Sequence, residues 1–315
     1  MNKREAVLSL LDPNSDTPFI PAGFFLHFDP YFHRGKAAVE KHIEFFQFTD
    51  MDFVKIQYEL TFPFRTDIQE PKDWSKLTLL DPDFFEDQWD LAEELVKAAG
   101  KEAMVIMTLY SPYMCAGQIV GRELLDRHIR EDPEKIKIGM EIVTDSLRGF
   151  TDGCIQRGID GFYHSTQGGE TYRYGGSSLF DECIKPYDLN LMEDINQKSL
   201  FNILHICDYH DGYSDYSPFF EYPGDIVNCC TTLGEKILSG KEIVNMFSRP
   251  FMGGLDRHGI IVSGSEQEIH NAVQNVIINS PNDFILGADC TLPADVNWNN
   301  LKSAISYAHS FERTS

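Results

Sequence analysis

One histidine and two cysteines carry the clearest chemical signal in this 315-residue sequence. His205 and Cys207 are two residues apart in the β-rich run FNILHIC, and the two-residue period of a strand directs both side chains to the same face. The sequence has neither Cys-x-x-Cys nor His-Glu-x-x-His, so a further metal ligand must come from a distant segment. Cys290, at the end of the run DFILGADC, is the best candidate.

These three side chains together predict a zinc site. Two thiolates and one imidazole favour Zn2+ by ligand softness, and three protein ligands leave the fourth tetrahedral position open, as catalytic zinc requires. The alternative is that His205 and Cys207 belong to the core, because free cysteine is among the most buried residue types. The position of Cys290 at a second strand end favours the metal.

Two carboxylates are candidate catalytic groups. Glu59 ends the run FVKIQYE, and Glu170 lies in the loop STQGGETYRYGG. Either could reach the metal as a fourth ligand or accept a proton from an incoming thiol or a leaving alkoxide. The alternative for both is a solvated carboxylate at a strand end or in a loop.

Five further residues are candidates for binding the substrate. Asp256, Arg257 and His258 follow the seventh β-rich run, where barrel enzymes often bind anionic groups. Arg257 and His258 could hold a sulfonate, a carboxylate or a corrinoid side chain, whereas Asp256 could instead pair with Arg257 or cap the next helix. Tyr110 and Tyr172 are expected to shape a pocket or a surface for partner docking, with ring packing as the alternative.

Eight β-rich runs would bring these residues to one end of a sheet. The runs cover residues 19–27, 53–59, 103–110, 161–166, 201–207, 225–230, 250–256 and 283–290. Amphipathic stretches with helical spacing lie between them, over residues 85–99, 135–158, 179–199 and 266–280. Pro186 is expected to kink or divide the third of these helices.

The alternation of strands and helices predicts a parallel sheet in an α/β fold. Eight strands favour closure into a (β/α)8 TIM barrel over an open doubly wound sheet, and the glycine-rich phosphate turns GxGxxG and GxxxxGK[ST] are absent. No linker, charge block or repeat divides the sequence, so residues 1–315 are expected to form a single domain. The candidate residues gather at the carboxyl ends of the strands, which is the active face of such a barrel.

The composition argues against several classes of partner. A formal net charge of −22 repels phosphate and anionic lipid, so we expect binding to neither nucleic acid nor membrane. No apolar run approaches the roughly 20 residues that span a bilayer, and the N-terminal sequence lacks the long apolar segment of a signal peptide. We therefore expect a cytoplasmic protein whose seven cysteines are reduced and free to bind metal.

The sequence also resembles a known family. The run ILHICD, followed far downstream by FILGADCTLPADVNWNNLKSAISYAH, resembles the His-x-Cys and terminal Cys motif of the zinc-dependent corrinoid methyltransferases, the methylcobamide:coenzyme M type of the uroporphyrinogen decarboxylase superfamily. The runs DIVNCCTTLGEKI and MGGLDRHGIIVSGSEQEI resemble the sixth- and seventh-strand segments of that superfamily. The resemblance covers the second half of the chain well and the first half loosely.

This resemblance implies a methyl transfer between a corrinoid protein and a thiol or a folate-type acceptor such as tetrahydrofolate. It implies His205, Cys207 and Cys290 as ligands of a zinc ion that binds the thiol and lowers its pKa. The thiolate would then take the methyl group from cobalamin. Because the sequence contains no cobalamin-binding module of its own, a partner protein would supply the cobalamin.

Two other functions remain as alternatives. A cofactor-free decarboxylase of the uroporphyrinogen decarboxylase type would need cationic groups for its polyacidic substrate. The decarboxylases of the superfamily carry an arginine-rich signature in the first strand-loop, where this sequence reads GFFLHFDPYFHRG and offers only Arg34. The second alternative is a barrel without turnover that keeps the metal and docks the corrinoid partner.

Overall fold

The computed structural model describes residues 2–12 and 19–311. Within these residues the strands are β1 (Phe53–Ile56), β2 (Met104–Tyr110), β3 (Gly161–Thr166), β4 (Ile203–Ile206), β5 (Ile226–Asn228), β6 (Thr232–Leu233), β7 (Lys236–Ile237), β8 (Phe251–Leu255) and β9 (Phe284–Ala288). The α-helices are α1 (Lys3–Ser9), α2 (Gly35–Thr49), α3 (Glu86–Ala99), α4 (Pro112–Val120), α5 (Arg122–Glu131), α6 (Pro133–Gln156), α7 (Thr171–Tyr174), α8 (Leu179–Cys183), α9 (Lys185–Lys198), α10 (Gly240–Phe247), α11 (Ile260–Ser263), α12 (Glu266–Ile278) and α13 (Trp298–Ser310). Short 3-10 helices cover Pro30–Phe32, Pro71–Lys76, Pro82–Phe85 and Ser217–Phe219.

Seven of the strands form one parallel sheet in the order β1-β2-β3-β4-β5-β8-β9. Each strand pairs with the next one along the chain, apart from the short antiparallel hairpin β6-β7 between β5 and β8. Parallel neighbours need a crossover, and α3, α6, α9, α10 and α12 lie in five of the six connections. The predicted alternation of parallel strands and helices is confirmed.

Proline residues and a capping side chain mark where two of the helices begin. The predicted helix over 179–199 is divided as expected, because α8 ends at Cys183 and Pro186 lies in the first turn of α9, where a missing N–H costs nothing. Helix α6 begins in the same way, with Pro133 in its first turn and Asp132 accepting a hydrogen bond as its N-cap. Among the described residues, no helix has both the length and the apolar composition needed to cross a membrane.

The sheet curls around a core of its own. One cluster of buried side chains takes at least one residue from each of the seven strands, which a flat sheet could not bring into contact: Val7, Leu10, Phe25, Phe53, Met104, Ile106, Tyr163, Phe201, Ile203, Ile226, Met252 and Ile285. A larger cluster packs between the outer face of the sheet and the helices. Val7 and Leu10, in and directly after α1, close the inner cluster at the amino ends of the strands.

The prediction of a regular strand over residues 19–27 is wrong. This segment makes only isolated parallel bridges, at Ala22 and Leu26, to residues in and after β9. Pro21 has no N–H, and the N–H of Ala22 donates to the Asp52 carboxylate at 2.7 Å, so a side chain takes the place of a strand ladder towards β1. The structure is thus an α/β fold with a curled sheet of seven parallel strands, and closure by an eighth strand stays a prediction.

Candidate metal centre and cavity

The structure brings the three predicted metal ligands together. His205 lies in β4, Cys207 directly follows it, and Cys290 lies two residues beyond β9. One donor atom from each residue lies within 4.8 Å of the other two, and Cys290 Sγ is 3.4 Å from His205 Nε2. All three side chains are buried. Residues 85 positions apart meet because both strands end on the same edge of the curled sheet.

The donor set fits a zinc ion. Zn–S bonds of about 2.3 Å and Zn–N bonds of about 2.0 Å separate tetrahedral ligand atoms by roughly 3.5 to 3.8 Å, and the 3.4 Å from Cys290 Sγ to His205 Nε2 is close to this range. Hydrogen bonds from Cys290 and His205 hold the pKa of Cys207 well below its ordinary value, whereas the Cys207 sulfur and burial raise the pKa of Cys290. Cys207 is therefore the more readily ionised of the two thiols, and a bound cation would favour ionisation of both.

A chain of hydrogen bonds supports the Cys207 sulfur from the β3 side. Gln167, directly after β3, donates from Nε2 to Cys207 Sγ at 3.1 Å. Its Oε1 accepts a hydrogen bond of 2.7 Å from Arg122. Glu170 holds Arg122 at 3.5 Å and Arg173 at 2.8 Å, so this predicted catalytic carboxylate is engaged in a buried ion-pair network. Glu170 reaches the cluster only through Arg122 and Gln167.

The His205 ring is held by stacking. The ring of Tyr163 lies 4.8 Å from it at an interplanar angle of 28°, and the Tyr163 hydroxyl donates to Asn228 Oδ1. Asn228 donates in turn to two backbone carbonyls, which fixes its orientation. His205 Nδ1 is buried and has no hydrogen-bond partner among the described residues. Metal-bound histidines usually donate from this second nitrogen, so the ring here depends on packing for its position.

Lys55 of β1 lies close enough to the cluster for the charges of Cys290 and Cys207 to act on it. Its ammonium group lies 4.4 Å from the Tyr163 ring centroid and 4.5 Å from that of Phe25, and it donates to Gln57 Oε1 at 3.1 Å. Burial lowers the pKa of Lys55 to about 7, against the opposing negative charges of Cys290, Glu59 and Cys207. The amine therefore gains or loses its proton near neutral pH.

Arg257 ties together the two segments that carry the cysteines. Its Nη1 atom is 2.6 Å from Asp208, the residue after Cys207, and 3.1 Å from Asp289, the residue before Cys290. The Asp289 carboxylate also accepts the backbone N–H of Arg257 at 2.8 Å. Asp208 and Asp289 form a second group of metal-capable side chains with Cys230, but both carboxylates already pair with the Arg257 guanidinium.

A cavity of about 590 Å³ opens over the cluster at the carboxyl ends of the strands. His205, Cys207 and Cys290 all line it. Three predicted substrate-binding residues also line it, namely Tyr110, Arg257 and His258. Cavities of this size accept small organic molecules, which are usually oriented by a few polar groups on the wall.

The other predicted site residues do not line this cavity. Glu59 lies behind its wall and contacts His27 at 2.9 Å. The Tyr172 ring is exposed, and its hydroxyl donates to Asp211 at 2.6 Å. Asp256 accepts the backbone N–H of His258 at 2.8 Å, as a turn-stabilising residue does.

Sequence reasoning missed several polar residues of the cavity wall, four of which matter for the site. These four residues are His27, Lys55, Arg122 and Gln167. Two of these residues carry a signal in the sequence. His27 ends the first β-rich run, and Lys55 is a charge in an otherwise apolar strand, FVKI. Arg122, the first residue of α5, and Gln167, directly after β3, give no comparable signal. Besides the predicted Arg257, a second arginine, Arg122, lines the cavity, whereas Arg34 of the first strand-loop does not.

Solved structures with the same fold include enzymes that handle methyl groups. A methyltransferase from Methanosarcina mazei matches with a TM-score of 0.79 and 11% identity, covering 98% of each chain. A B12-independent methionine synthase from Shewanella sp. W3-18-1, in complex with selenomethionine, has a TM-score of 0.59 and 11% identity, covering 94% of this chain and 97% of that one. A putative vitamin-B12 independent methionine synthase from Listeria monocytogenes has a TM-score of 0.55 and 14% identity, covering 86% and 84%.

At these identities the likeness establishes the fold alone. A search of curated protein sequences found no significant match. The profile of the uroporphyrinogen decarboxylase (URO-D) family, in contrast, matches residues 53–311, from β1 to beyond α13. This match covers most of the sequence and confirms the predicted resemblance. The chain belongs to the uroporphyrinogen decarboxylase family.

Proposed function

We propose that this protein is a zinc-dependent methyltransferase that moves a methyl group between a corrinoid protein and a thiol or folate-type acceptor. The observation that carries the proposal is the convergence of His205, Cys207 and Cys290 beneath a cavity of about 590 Å³. The family match and the fold shared with a methyltransferase and two methionine synthases support methyl transfer as the reaction.

The protein side of the site would hold the ion through two sulfurs and one imidazole nitrogen. His205, Cys207 and Cys290 leave one tetrahedral position for the acceptor, which is the arrangement of catalytic rather than structural zinc. When bound, zinc would lower the pKa of an acceptor thiol and so supply a thiolate nucleophile at neutral pH.

The surrounding residues would orient these ligands. The Gln167 amide donates to Cys207 Sγ, and the Tyr163 ring stacks on His205. Arg257 joins the residues next to both cysteines, so it fixes the distance between the two ligand-bearing segments. Such outer contacts commonly change metal affinity by about 10- to 100-fold.

The predicted catalytic and substrate-binding residues take different parts in this proposal. Tyr110 and His258 on the cavity wall would contact the acceptor, and the exposed Tyr172 suits the alternative role in partner docking. Glu170 would act on Cys207 through Arg122 and Gln167 rather than on substrate. Glu59 would act through the histidine that it contacts.

Decarboxylation of a polyacid is the weaker reading because the cavity's arginines are already engaged. Arg257 is bound by two aspartates, and Arg122 is held by Gln167 and Glu170. A substrate with many carboxylates would have to compete with these protein carboxylates for both cations. A thiol acceptor needs no such clamp.

The proposal is tested by anaerobic incubation of the purified protein with methylcob(III)alamin and a thiol such as coenzyme M or homocysteine. We expect slow formation of cob(I)alamin that requires zinc, increases with a cognate corrinoid protein and is abolished by His205→Ala. His270→Ala is the matched control, because that histidine stacks on Tyr307 between α12 and α13, away from the cavity. If neither thiols nor tetrahydrofolate accept the methyl group, while uroporphyrinogen loses carbon dioxide in the presence of a chelator, the decarboxylase alternative is correct.

A further inference from the structure

One pair of side chains at the cavity has the geometry of an acid–base dyad. The ring of His27, directly after the bridged segment at Leu26, lines the cavity and remains partly exposed. Its Nδ1 atom is 2.9 Å from Oε1 of Glu59, whose side chain is largely buried. Its Nε2 atom makes no hydrogen bond within the described part of the chain. A carboxylate on one ring nitrogen fixes the tautomer and leaves the other nitrogen free to accept a proton.

The other basic groups on the cavity wall lack this arrangement. His205 belongs to the metal cluster, and Lys55 is enclosed by the Phe25 and Tyr163 rings. His210 lines the cavity, but burial and the nearby Arg122 lower its pKa, and it has no carboxylate to orient it. Among the described cavity-lining histidines, His27 therefore differs in having a carboxylate hydrogen-bonded to its ring nitrogen.

We propose that His27 is the catalytic base that takes the proton of the acceptor thiol, with Glu59 as its positioning residue. This inference rests on the proposed methyl transfer and adds the group that manages its proton. A thiol that enters the cavity as RSH must lose one proton before its sulfur can attack, and the cavity limits the access of bulk water.

The reaction balances with one corrinoid substrate and one thiol. His27 Nε2 takes the proton of RSH, so the S–H bond breaks and the electron pair stays on sulfur. The sulfur then forms a bond to the methyl carbon, the Co–C bond breaks, and its electron pair remains on cobalt, giving RSCH3 and cob(I)alamin from CH3–Co(III). The proton leaves the imidazolium for solvent through the exposed edge of the ring.

The groups that face this dyad fix the direction of its pH dependence. Glu59 also faces His33 at 3.8 Å, and its charge acts on Lys55 and on the buried His42. The carboxylate stabilises the imidazolium form of His27, whereas protonated Lys55 and His33 oppose it. The charge of Glu59 therefore favours the form of His27 that has taken up the thiol proton.

The decisive variants are His27→Gln and Glu59→Gln, compared with the wild-type protein from pH 5.5 to 9.5. In His27→Gln we expect kcat/KM for the thiol to fall by about 100-fold at pH 7, the lower end of the roughly 100- to 10,000-fold that a general base typically contributes. The deficit should shrink towards pH 9.5, where the thiol ionises in solution without help. Glu59→Gln should keep part of the rate and move the acidic limb of the profile to lower pH.

A second readout does not depend on turnover. Calorimetry of thiol binding to the zinc-loaded protein, in buffers of different ionisation enthalpy, gives the number of protons released to solvent. The wild-type protein should release fewer protons than His27→Gln, by up to about one per thiol, because His27 retains the proton. His33→Gln is the matched control, since His33 also faces Glu59 but bonds the Phe28 carbonyl and does not line the cavity.

The outcomes distinguish a failure of the role assigned to His27 from a failure of the proposed methyl transfer. A deficit in His27→Gln that is the same at every pH, or equal proton release with and without His27, overturns the inference while leaving methyl transfer intact. The same pH-dependent deficit in His33→Gln also overturns it. If the zinc-loaded wild-type protein binds no thiol and transfers no methyl group, the proposed function fails and the inference fails with it.

Discussion

The two ends of the parallel strands differ in how their polar groups are treated. At the amino ends, charged groups are paired across the chain: Arg4 with Asp160, Lys3 with Asp50, and His309 with Asp52. Val7 and Leu10 close the inner core at the same end.

At the carboxyl ends, polar atoms lie buried without partners around an open cavity. Within the described residues, His205 Nδ1 and Arg122 Nη1 are buried and unbonded, and both residues line the cavity. In the same part of the chain, Asp52 Oδ1 and Arg157 Nε are also unbonded at the amino ends, but these residues do not line the cavity. Buried polar groups without partners lower the stability of the fold, and a bound ion or substrate could supply the missing partner. The contrast teaches that the amino ends stabilise this fold, whereas the carboxyl ends give up stability to create a site, as is usual for barrels of parallel strands.

The claim that the amino ends stabilise the fold is tested most strongly by removing a paired charge there. Asp160 accepts hydrogen bonds from both the Arg4 guanidinium and the Val105 N–H, at 2.7 and 2.8 Å from its Oδ2 atom. We expect Asp160→Ala to lower the free energy of unfolding by about 2 to 3 kcal/mol, because the Val105 N–H and the Arg4 charge lose their partner together. Chemical denaturation measures this loss.

The same variant should keep its full metal content and its turnover per folded molecule. Asp50→Asn is the control at the same end, because Asp50 is exposed and its left-handed backbone, with φ of 62°, is one that asparagine tolerates. That variant should change the unfolding free energy by less than about 1 kcal/mol. Loss of zinc in Asp160→Ala without loss of stability would contradict the division between the two ends.

A smaller effect is expected from a single hydrogen bond at the carboxyl end. Gln167→Leu removes the 3.1 Å bond from Nε2 to Cys207 Sγ and leaves Glu170, at 3.5 Å, as the remaining acceptor of the Arg122 guanidinium. We expect zinc affinity to fall by about 10- to 100-fold, measured by competition with a chromogenic chelator, because outer contacts orient the ligand.

The matched control for this variant is Gln118→Leu. Gln118 lines the same cavity, but its amide oxygen accepts the backbone N–H of Phe62 at 2.9 Å and does not touch the cluster. Zinc affinity should therefore be unchanged in this control. Equal affinities in the Gln167 variant and the wild-type protein would remove Gln167 from the account of the site.

Much of the fold follows from local patterns in the sequence. The apolar runs of the seven sheet strands and the helices between them depend on periodicity, which one sequence carries. Pro186 divides its helix as expected because proline acts through its own backbone. The irregular segment over 19–27 depends on Asp52, more than two dozen residues away, whose side chain takes the Ala22 N–H. A pattern within the segment cannot carry that information.

The candidate site also has a part that the sequence predicts and a part that only the packed structure shows. The meeting of His205, Cys207 and Cys290 follows from strand ends that share one edge, so spacing and topology were sufficient to predict it. Glu170 instead belongs to an ion-pair network with Arg122 and Arg173, which only the packed loops create. Metal binding by the three residues stays a prediction, as do the roles of the other site residues.

The central claim is that the cluster at the carboxyl ends binds one zinc ion. Elemental analysis of the purified wild-type protein, Cys290→Ser and Cys230→Ser tests it most directly, because Cys230 lies at the same end of the sheet but outside the His205 cluster. We expect about one zinc per chain in the wild-type protein and in Cys230→Ser, and little in Cys290→Ser, since a hydroxyl is a poor replacement for a thiolate ligand. Full zinc occupancy in Cys290→Ser, or none in the wild-type protein, would contradict the account.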